Sequence, residues 1–262
     1  MSGPLEGLRI IEIGEGPAVA HAGRNLADMG AEVVKIEPPE GDGMRRWPSV
    51  EIEGAPAVFH ALNRGKASLV LNLADPAERK TLAALLKTAD GVIDGSPHGL
   101  ARALVPERDA PGLVVARLTP YGDDVATDFP AHDATIQAES GWMSTNGRGD
   151  EPAVRSGLPM PSQAAGASVV QAMLAALIAR EDDGEGEDID VALYDQALII
   201  SYHYAMQFMI NGNRPLRFGN GSPAAAPLGV FEASDGQFQM TAAGDRVWKR
   251  FVENVLEMPE LL

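Results

Sequence analysis

Apolar runs alternate with helix-period segments along most of the chain. The apolar runs predict buried strands at 8–14, 32–37, 67–73, 91–95, 112–118 and 189–193. The segments between them predict helices at 18–30, 75–89, 163–180 and 194–210. Gly30 is a typical helix end, and Asp75 followed by Pro76 is a typical helix start. The strand–helix–strand order predicts a parallel sheet with right-handed crossovers, and therefore an α/β fold.

The C-terminal part of the chain has a different pattern. The stretch FGNGSPAAAPLG at 218–229 reads as a linker, and DGQFQMTAA then starts a new element. We therefore divide the chain into a large domain at 1–217 and a linker with the start of a small domain at 218–262.

Composition indicates the cellular compartment of the protein. The 262 residues include no cysteine, which excludes disulfides and thiolate chemistry and is typical of a cytosolic protein. The start lacks the basic and apolar regions of a secretory signal. The longest apolar run, 164–180, is alanine-rich, contains Gly166 and Gln171, and falls short of a membrane span. We expect a cytoplasmic protein without a membrane partner.

Charge and histidine spacing exclude other classes of ligand. A formal net charge of −16 argues against a nucleic-acid partner, whose phosphates need a basic face. An anionic ligand would need a local cluster of cations. The five histidines are scattered without metal-ligand spacing, so no metal is expected.

The glycine motif GEGPAV at 14–19 lies between the first strand and the first helix, where a dinucleotide-binding turn would lie. Its third glycine is replaced by Val19, although Glu37 at the end of the second strand would suit a ribose. We favour a glycine turn without a nucleotide. Walker, HExxH and GxSxG motifs are absent from the sequence.

The order of several longer motifs resembles one family. The opening PLEGLRIIEIGEGPAVAHAGRNLADMGAEVVKIEPPEGDGMRRWP is similar to that of the family III CoA-transferases (CaiB/BaiF), which include carnitine CoA-transferase, formyl-CoA transferase and α-methylacyl-CoA racemase. Later family-like stretches follow in the same order: LNRGKASLVLNL, AHDATIQAESGWMSTNG, AALIAREDDGEGEDIDVAL and RFGNGSPAAAPLGVFEASDGQF. The resemblance implies a Rossmann-like, CoA-binding large domain and dimers in which two chains interlock.

The resemblance also implies a missing nucleophile. Family transferases use an aspartate, which is ionised at neutral pH, to attack an acyl-CoA thioester and form a mixed anhydride. The matching stretch here is GLPMPSQAAG, and Ser162 stands at the position of that aspartate. The chain also stops where the family's small domain has barely begun, so we expect that domain to be incomplete.

Ser162 has three interpretations. A serine ahead of a helix is a favoured N-cap, which is the interpretation we prefer. In the family's racemases a His-Asp pair matches His132 and Asp133, so His132 could serve Ser162 as a base in a thioesterase dyad. Ser162 cannot act as half of a racemase pair, because a hydroxyl does not exchange an α-proton at neutral pH. We interpret Asp133 as a structural carboxylate rather than as a substitute nucleophile.

CoA carries phosphates, so the resemblance implies a set of cations around them. The candidates in stretches that resemble the family's CoA-contacting loops are Arg45, Arg46, Lys66 and Arg102, with Lys35 and Arg24 as weaker ones. VIDGSPHGLAR departs from the family, which places an Asn-Phe pair before this turn.

The sequence therefore predicts a subunit of a family III CoA-transferase that uses acyl-CoA and a carboxylic acid as substrates. We expect it to be non-catalytic and to pair with a longer, aspartate-bearing subunit, or else to form a homodimer. One alternative is a stand-alone acyl-CoA hydrolase or epimerase-like enzyme that uses His132. Another is a non-enzymatic acyl-CoA-binding protein, and a truncated product without activity also remains open.

Overall fold

A parallel β-sheet forms the centre of the protein in the computed structural model, which describes residues 3–97, 99–125 and 131–262. The strands are β1 Arg9–Ile13, β2 Glu32–Glu37, β3 Glu51–Ile52, β4 Ala55–Pro56, β5 Ala67–Val70, β6 Gly91–Asp94, β7 Val114–Thr119, β8 Asp188–Ala192, β9 Leu228–Ala233 and β10 Gly236–Thr241. The helices are α1 Pro17–Asp28, α2 Ala57–Asn63, α3 Pro76–Leu86, α4 Leu100–Leu104, α5 Asp133–Glu139, α6 Met160–Asp183, α7 Leu193–Ile200, α8 Tyr202–Asn211 and α9 Asp245–Phe251.

Six strands make the parallel sheet in the order β5-β2-β1-β6-β7-β8. Counting only these six along the chain, the order is 3-2-1-4-5-6, the arrangement of doubly wound, Rossmann-like folds. Successive strands are added to one side of β1 up to β5 and to its other side from β6 onwards, so the strand order reverses between β1 and β6. The carboxyl ends of these two strands form the switch point where such folds bind ligands. The predicted α/β class and parallel sheet are confirmed.

Both faces of the sheet are covered by helices. Neighbouring residues of β1 point to opposite faces, so Ile10 belongs to one apolar core and Ile11 to the other. The core around Ile10 includes Val169 and Met173 of α6, both fully buried. The core around Ile11 includes Leu82 of α3, among others. A parallel sheet needs cover on both faces because its strands are almost wholly apolar.

Helix α6 lies very close to α1. A β-carbon at Gly166 would come within 2.8 Å of the Ala18 carbonyl oxygen and 2.9 Å of the His21 ring, so glycine is needed there. By length and composition α6 could cross a membrane. Its buried residues, including Val169 and Met173, pack in the core around Ile10.

The compact units of the structure divide differently from the predicted domains. One unit comprises Met1–Ser140 and Gly157–Tyr202, and the other comprises Gly141–Ser156 and His203–Leu262. The boundary predicted after residue 217 therefore falls inside the second unit. The linker predicted at 218–229 also runs into β9, which pairs with β10 in an antiparallel hairpin. The helix predicted at 194–210 is interrupted at Ser201, whose N–H still bonds back to the Ala197 carbonyl.

Four buried charges connect the first two strands to the loop after β2 and to the segment before β5. Glu12 of β1 is paired in register with Lys35 of β2, and the carboxylate and ammonium lie 2.8 Å apart. Lys35 also lies 2.7 Å from Asp42, and Lys66 lies 2.7 Å from the second oxygen of Glu12. The side chains of this ion cluster, Glu12, Lys35, Asp42 and Lys66, are at most 2% exposed.

Burial and charge act against each other in the ion cluster. Burial disfavours charged Lys35, but Glu12 and Asp42 outweigh it and raise the pKa of Lys35 above its usual value. At Lys66 burial prevails over the attraction of Glu12 and lowers the pKa. Gly23 of α1 makes room for the cluster, because a β-carbon there would overlap the Glu12 carboxylate at 1.8 Å.

We expect Glu12→Gln to lower the free energy of unfolding by about 3–5 kcal/mol, because it leaves two buried ammonium groups without their shared partner. Urea denaturation at neutral pH measures this loss. The matched control is Glu6→Gln, which removes one exposed carboxylate and should change stability by less than about 0.5 kcal/mol. Equal stability of the two variants would contradict a structural role for the ion cluster.

Candidate active site and switch-point cleft

The first turn of α6 carries Ser162, which is 3% exposed. Its hydroxyl donates a hydrogen bond to Asp133 Oδ2 at 2.7 Å, and its backbone N–H donates to the same oxygen at 2.9 Å. The other oxygen of Asp133 accepts from Gln137 Nε2 at 2.7 Å. Asp133 lies in the first turn of α5, so the start of α5 supplies a carboxylate to the start of α6.

The prediction that Ser162 is the N-cap of α6 is wrong. Ser162 is the third residue of the helix, and the N-cap position is held by Pro159, which forms no side-chain cap. Pro161 has no N–H to satisfy, and the N–H of Ser162 is satisfied by Asp133 from another helix. The carboxylate that caps this helix therefore comes from a distant part of the chain.

Asp133 makes the contacts of a structural carboxylate. It accepts three hydrogen bonds, two of them at the positive end of α6, and each stabilises the carboxylate anion. An anion held this way is a weaker nucleophile than a free carboxylate. The hydroxyl of Ser162 donates its proton to Asp133, so the two groups are engaged with each other at the head of α6.

His132 is exposed and does not complete a dyad with Ser162. Its ring Nδ1 lies 3.0 Å from the Thr135 hydroxyl. Within the described part of the chain, no hydrogen bond joins this ring to Ser162.

Arg45, the first predicted CoA ligand, is paired with Glu37. Its guanidinium makes two bonds of 2.7 Å to the two carboxylate oxygens and lies 4.0 Å above the Phe59 ring. Arg45 lowers the pKa of Glu37 to about 2, against the effect of burial and with help from the Asp42 N–H and the Ser68 hydroxyl. Glu37 therefore has no free lone pair for a ribose, which removes the residue that the dinucleotide interpretation requires.

The other three predicted CoA ligands are also occupied, and the structure does not bring the four together. Arg46 donates to the carbonyl of Glu40, Lys66 belongs to the buried ion cluster, and Arg102 of α4 is paired with Asp188. Arg102 lines a separate hollow of about 410 Å³ beside β8, where Arg117 is likewise paired with aspartates. Of the weaker candidates, Lys35 is buried in the ion cluster and Arg24 bonds to Asn25.

The switch point of the sheet opens into a cleft of about 570 Å³, lined by the segments that follow β1, β2, β5 and β6. Two of these segments touch closely, because a β-carbon at Gly14 would lie 2.9 Å from the Gly95 carbonyl carbon. Three glutamates line this switch-point cleft: Glu15, Glu37 and Glu40. None of the described lining residues is Lys, Arg or His. The described part of the lining therefore offers no side-chain cation to the phosphates of CoA.

Sequence reasoning missed the acidic character of this cleft. Glu15 lies inside the glycine motif itself, and Glu40 lies in the loop after β2, so both are visible in the sequence. Only the sheet order shows that they face one cleft. Val19, which replaces the third glycine, is buried and packs closely against Gly95. A β-carbon on Gly95 would lie 2.5 Å from a methyl group of Val19.

A metal centre is not formed by the described residues: 3–97, 99–125 and 131–262 contain no group of three or more His, Asp or Glu placed to hold an ion.

A sequence profile described as CoA-transferase family III matches residues 5–262. The chain belongs to this family. The succinate–glutarate CoA-transferase of Agrobacterium fabrum is 35% identical over 260 residues, which cover 94% of this chain and 65% of that protein. The acetyl-CoA:oxalate CoA-transferase of Acetobacter aceti is 32% identical over 267 residues, which cover 99% of this chain and 68% of that protein.

Solved structures support the same assignment of this family III chain. A CAIB/BAIF family protein from Brucella suis has a TM-score of 0.85 and 30% identity, over 100% of this chain and 71% of that one. A mutant of Rv3272 from Mycobacterium tuberculosis has a TM-score of 0.84 and 28% identity, and the match covers 99% of this chain and 69% of that one. The chain spans about two thirds of the length of the curated relatives above.

We expect Ser162→Asp to destabilise the family III chain by about 2–3 kcal/mol, because a second carboxylate would face Asp133 and the hydroxyl bond would be lost. In the control variant Ser162→Asn, the new side chain has the size of aspartate but can still donate a hydrogen bond to Asp133. This variant should therefore lose less than about 1 kcal/mol of unfolding free energy. Adding Asp133→Asn to Ser162→Asp should restore most of the loss. Urea denaturation of the three variants measures these differences, and an undiminished stability of Ser162→Asp alone would contradict the contact.

The pairing of Glu37 with Arg45 predicts a pH dependence of stability. The pKa of Glu37 is about 2 in the folded chain against its ordinary value of 4.5, so the stability that this carboxylate contributes is present above pH 4.5 and is lost as the pH falls towards 2. After allowance for the partial exposure of Arg45, we expect wild type to lose about 1–2 kcal/mol more than Glu37→Gln between about pH 5 and about pH 2.5.

Urea denaturation at the two pH values measures this difference. Glu32→Gln is the control, because it breaks the exposed ion pair with Arg9 and should follow wild type within about 0.5 kcal/mol. An identical acid sensitivity of wild type and Glu37→Gln would contradict the lowered pKa.

Proposed function

We propose that this chain is a non-catalytic subunit of a family III CoA-transferase and that an aspartate-bearing partner chain supplies the nucleophile. The assembly moves CoA from an acyl-CoA to a carboxylic acid. The observation that carries the proposal is the bond between Ser162 and Asp133 at the head of α6. It ties up the hydroxyl and the carboxylate at the position that the family resemblance assigns to the nucleophile.

The cation contacts support the same proposal. Each of the four predicted phosphate ligands has an anionic or carbonyl partner within this chain. An active subunit must hold the phosphates of CoA with cations that are free to reach them. The proposal therefore assigns both the attacking carboxylate and the phosphate cations to the partner.

The names of relatives suggest the class of acid. The similar proteins are named for succinate, glutarate, mesaconate and oxalate, all of them dicarboxylic acids. We therefore propose a dicarboxylic acid as acceptor and the CoA thioester of a second dicarboxylic acid as donor. Succinyl-CoA with glutarate is the first pair to assay.

The alternative functions lack a supporting contact. A hydrolase needs His132 within reach of the Ser162 hydroxyl, whereas the hydroxyl bonds to Asp133 and the imidazole to Thr135. An epimerase-like reaction through His132 needs an opposing acid or base, and the Ser162 hydroxyl cannot serve as one for an α-proton at neutral pH.

The test is affinity isolation of the chain from its own host at its natural abundance, followed by native mass spectrometry and a transferase assay. We expect a complex with a longer family III chain, and we expect activity only in that complex. Replacing the partner's aspartate by alanine should abolish the activity, whereas Ser162→Ala in this chain should leave at least about half of it.

A chain that is isolated alone and transfers CoA from succinyl-CoA to glutarate by itself would contradict the partner proposal. In that case the loss of activity in Asp133→Asn but not in Ser162→Ala would identify Asp133 as the nucleophile instead.

A further inference from the structure

The second compact unit contains all three Asn-Gly steps of the sequence, at 146–147, 211–212 and 220–221. In such a step the amide nitrogen of the glycine can attack the side-chain carbonyl carbon of the asparagine, because glycine has no β-carbon that hinders the approach. The reaction replaces the side-chain amide by a carboxylate, so each Asn-Gly step is a candidate modification site. The contacts of the glycine N–H decide which of the three steps reacts in the folded chain.

Two of the three glycines hold their N–H in a hydrogen bond. The Gly212 N–H donates to the carbonyl oxygen of Phe208 at 2.8 Å. The Gly221 N–H donates to the carbonyl oxygen of Phe218 at 2.9 Å. The nitrogen must lose its proton and turn towards the side chain before it attacks, and a hydrogen bond opposes both changes. These two steps are therefore protected in the folded chain.

The peptide group between Asn146 and Gly147 is held more weakly. Within residues 3–97, 99–125 and 131–262, the Gly147 N–H and the Asn146 side chain form no hydrogen bond. The carbonyl of the same peptide group accepts one long bond, of 3.5 Å, from the Val154 N–H. Asn146 is extended, with ψ 137°, so the attack requires a rotation about its Cα–C bond. The bonds of this peptide group offer little resistance to that rotation.

We propose that Asn146 is a site of spontaneous deamidation. The deprotonated nitrogen of Gly147 attacks Cγ of Asn146, a C–N bond forms, and the side-chain nitrogen leaves as ammonia with the proton that Gly147 lost. Water then adds to one carbonyl carbon of the cyclic imide and breaks one of the two C–N bonds of the ring. Breaking the bond to Cγ leaves aspartate, and breaking the bond to the backbone carbonyl carbon leaves isoaspartate. Both residues are half-buried, so solvent water reaches the imide.

The modification changes a loop that Arg217 anchors. The guanidinium of Arg217 donates to the carbonyl oxygens of Arg148 and Glu151 at 3.1 and 2.9 Å. It also donates to that of Ser144 at 3.5 Å, so its acceptors lie on both sides of Asn146 in the chain. An isoaspartate would add one carbon to the backbone between these acceptors, which the rigid, planar guanidinium could then no longer meet together. We therefore expect deamidation to loosen the loop around Arg148.

Peptide mass spectrometry after timed incubation of the full chain at mildly alkaline pH tests the proposal. Trypsin separates the three steps, because Arg148 and Arg217 lie between them. The reference for each step is its rate in the urea-unfolded chain, where no fold protects the glycine N–H. We expect the ratio of folded to unfolded rate to be on the order of fivefold larger at Asn146 than at Asn211 or Asn220, the factor that one net hydrogen bond contributes.

Two variants complete the experiment. Asn146→Gln removes the site, because glutamine would have to close a larger and less favourable ring, and it should leave the rates at the other two steps unchanged. The matched control Asn213→Gln changes an exposed asparagine that precedes Arg214, and it should leave the rate at Asn146 unchanged. A limiting amount of trypsin should cleave aged wild type after Arg148 faster than fresh wild type, whereas aged Asn146→Gln should be cleaved as slowly as fresh protein.

Two rate measurements would overturn the proposal. One is a folded-to-unfolded ratio at Asn211 or Asn220 as large as that at Asn146. The other is an Asn146 that stays unchanged in the folded chain while it converts in urea. Equal trypsin cleavage of fresh and aged wild type would contradict the loosening of the loop. The measurements need no CoA and no partner chain, so their outcome is independent of the proposed function.

Discussion

The buried ion cluster is the interaction on which the arrangement of the sheet edge depends. Glu12 and Lys35 are directly opposite in the register of β1 and β2, so the pair holds these two central strands at one relative position. Asp42 then fixes the loop after β2, and Lys66 fixes the segment before β5. Because an unpaired charge in this interior would be costly, these pairs hold both segments in place, and the loop after β2 is one of those that line the switch-point cleft.

The same pairing of charges is the basis for proposing that a partner chain supplies the reactive groups. Carboxylates and cations pair with each other inside the fold: Glu37 with Arg45, Lys66 with Glu12, and Arg102 with Asp188. At the head of α6, Asp133 satisfies the N–H and the hydroxyl of Ser162. These contacts stabilise the large unit, and they leave few free groups for an acyl-CoA.

Local patterns were sufficient to predict the fold. The six parallel strands and α1, α3 and α6 were predicted with shifts at their ends, because apolar periodicity and the cap at Asp75 act over a few residues. The family resemblance places Ser162 at the position of the nucleophile, and this assignment stays a prediction. The interruption at Ser201 and the strand that begins at Leu228 were missed, since no strong local signal marks them.

The sequence by itself thus determined the fold class, the family and the residue types available for chemistry. Tertiary structure decided which of these residues remain free. A list of cations such as Arg45, Lys66 and Arg102 does not show that each has a carboxylate partner, because those partners lie on other elements. The cap of α6 likewise comes from Asp133, which lies 29 positions earlier in the chain. Hydrogen bonds and ion pairs depend on distance in space, and only the packed sheet and helices set that distance.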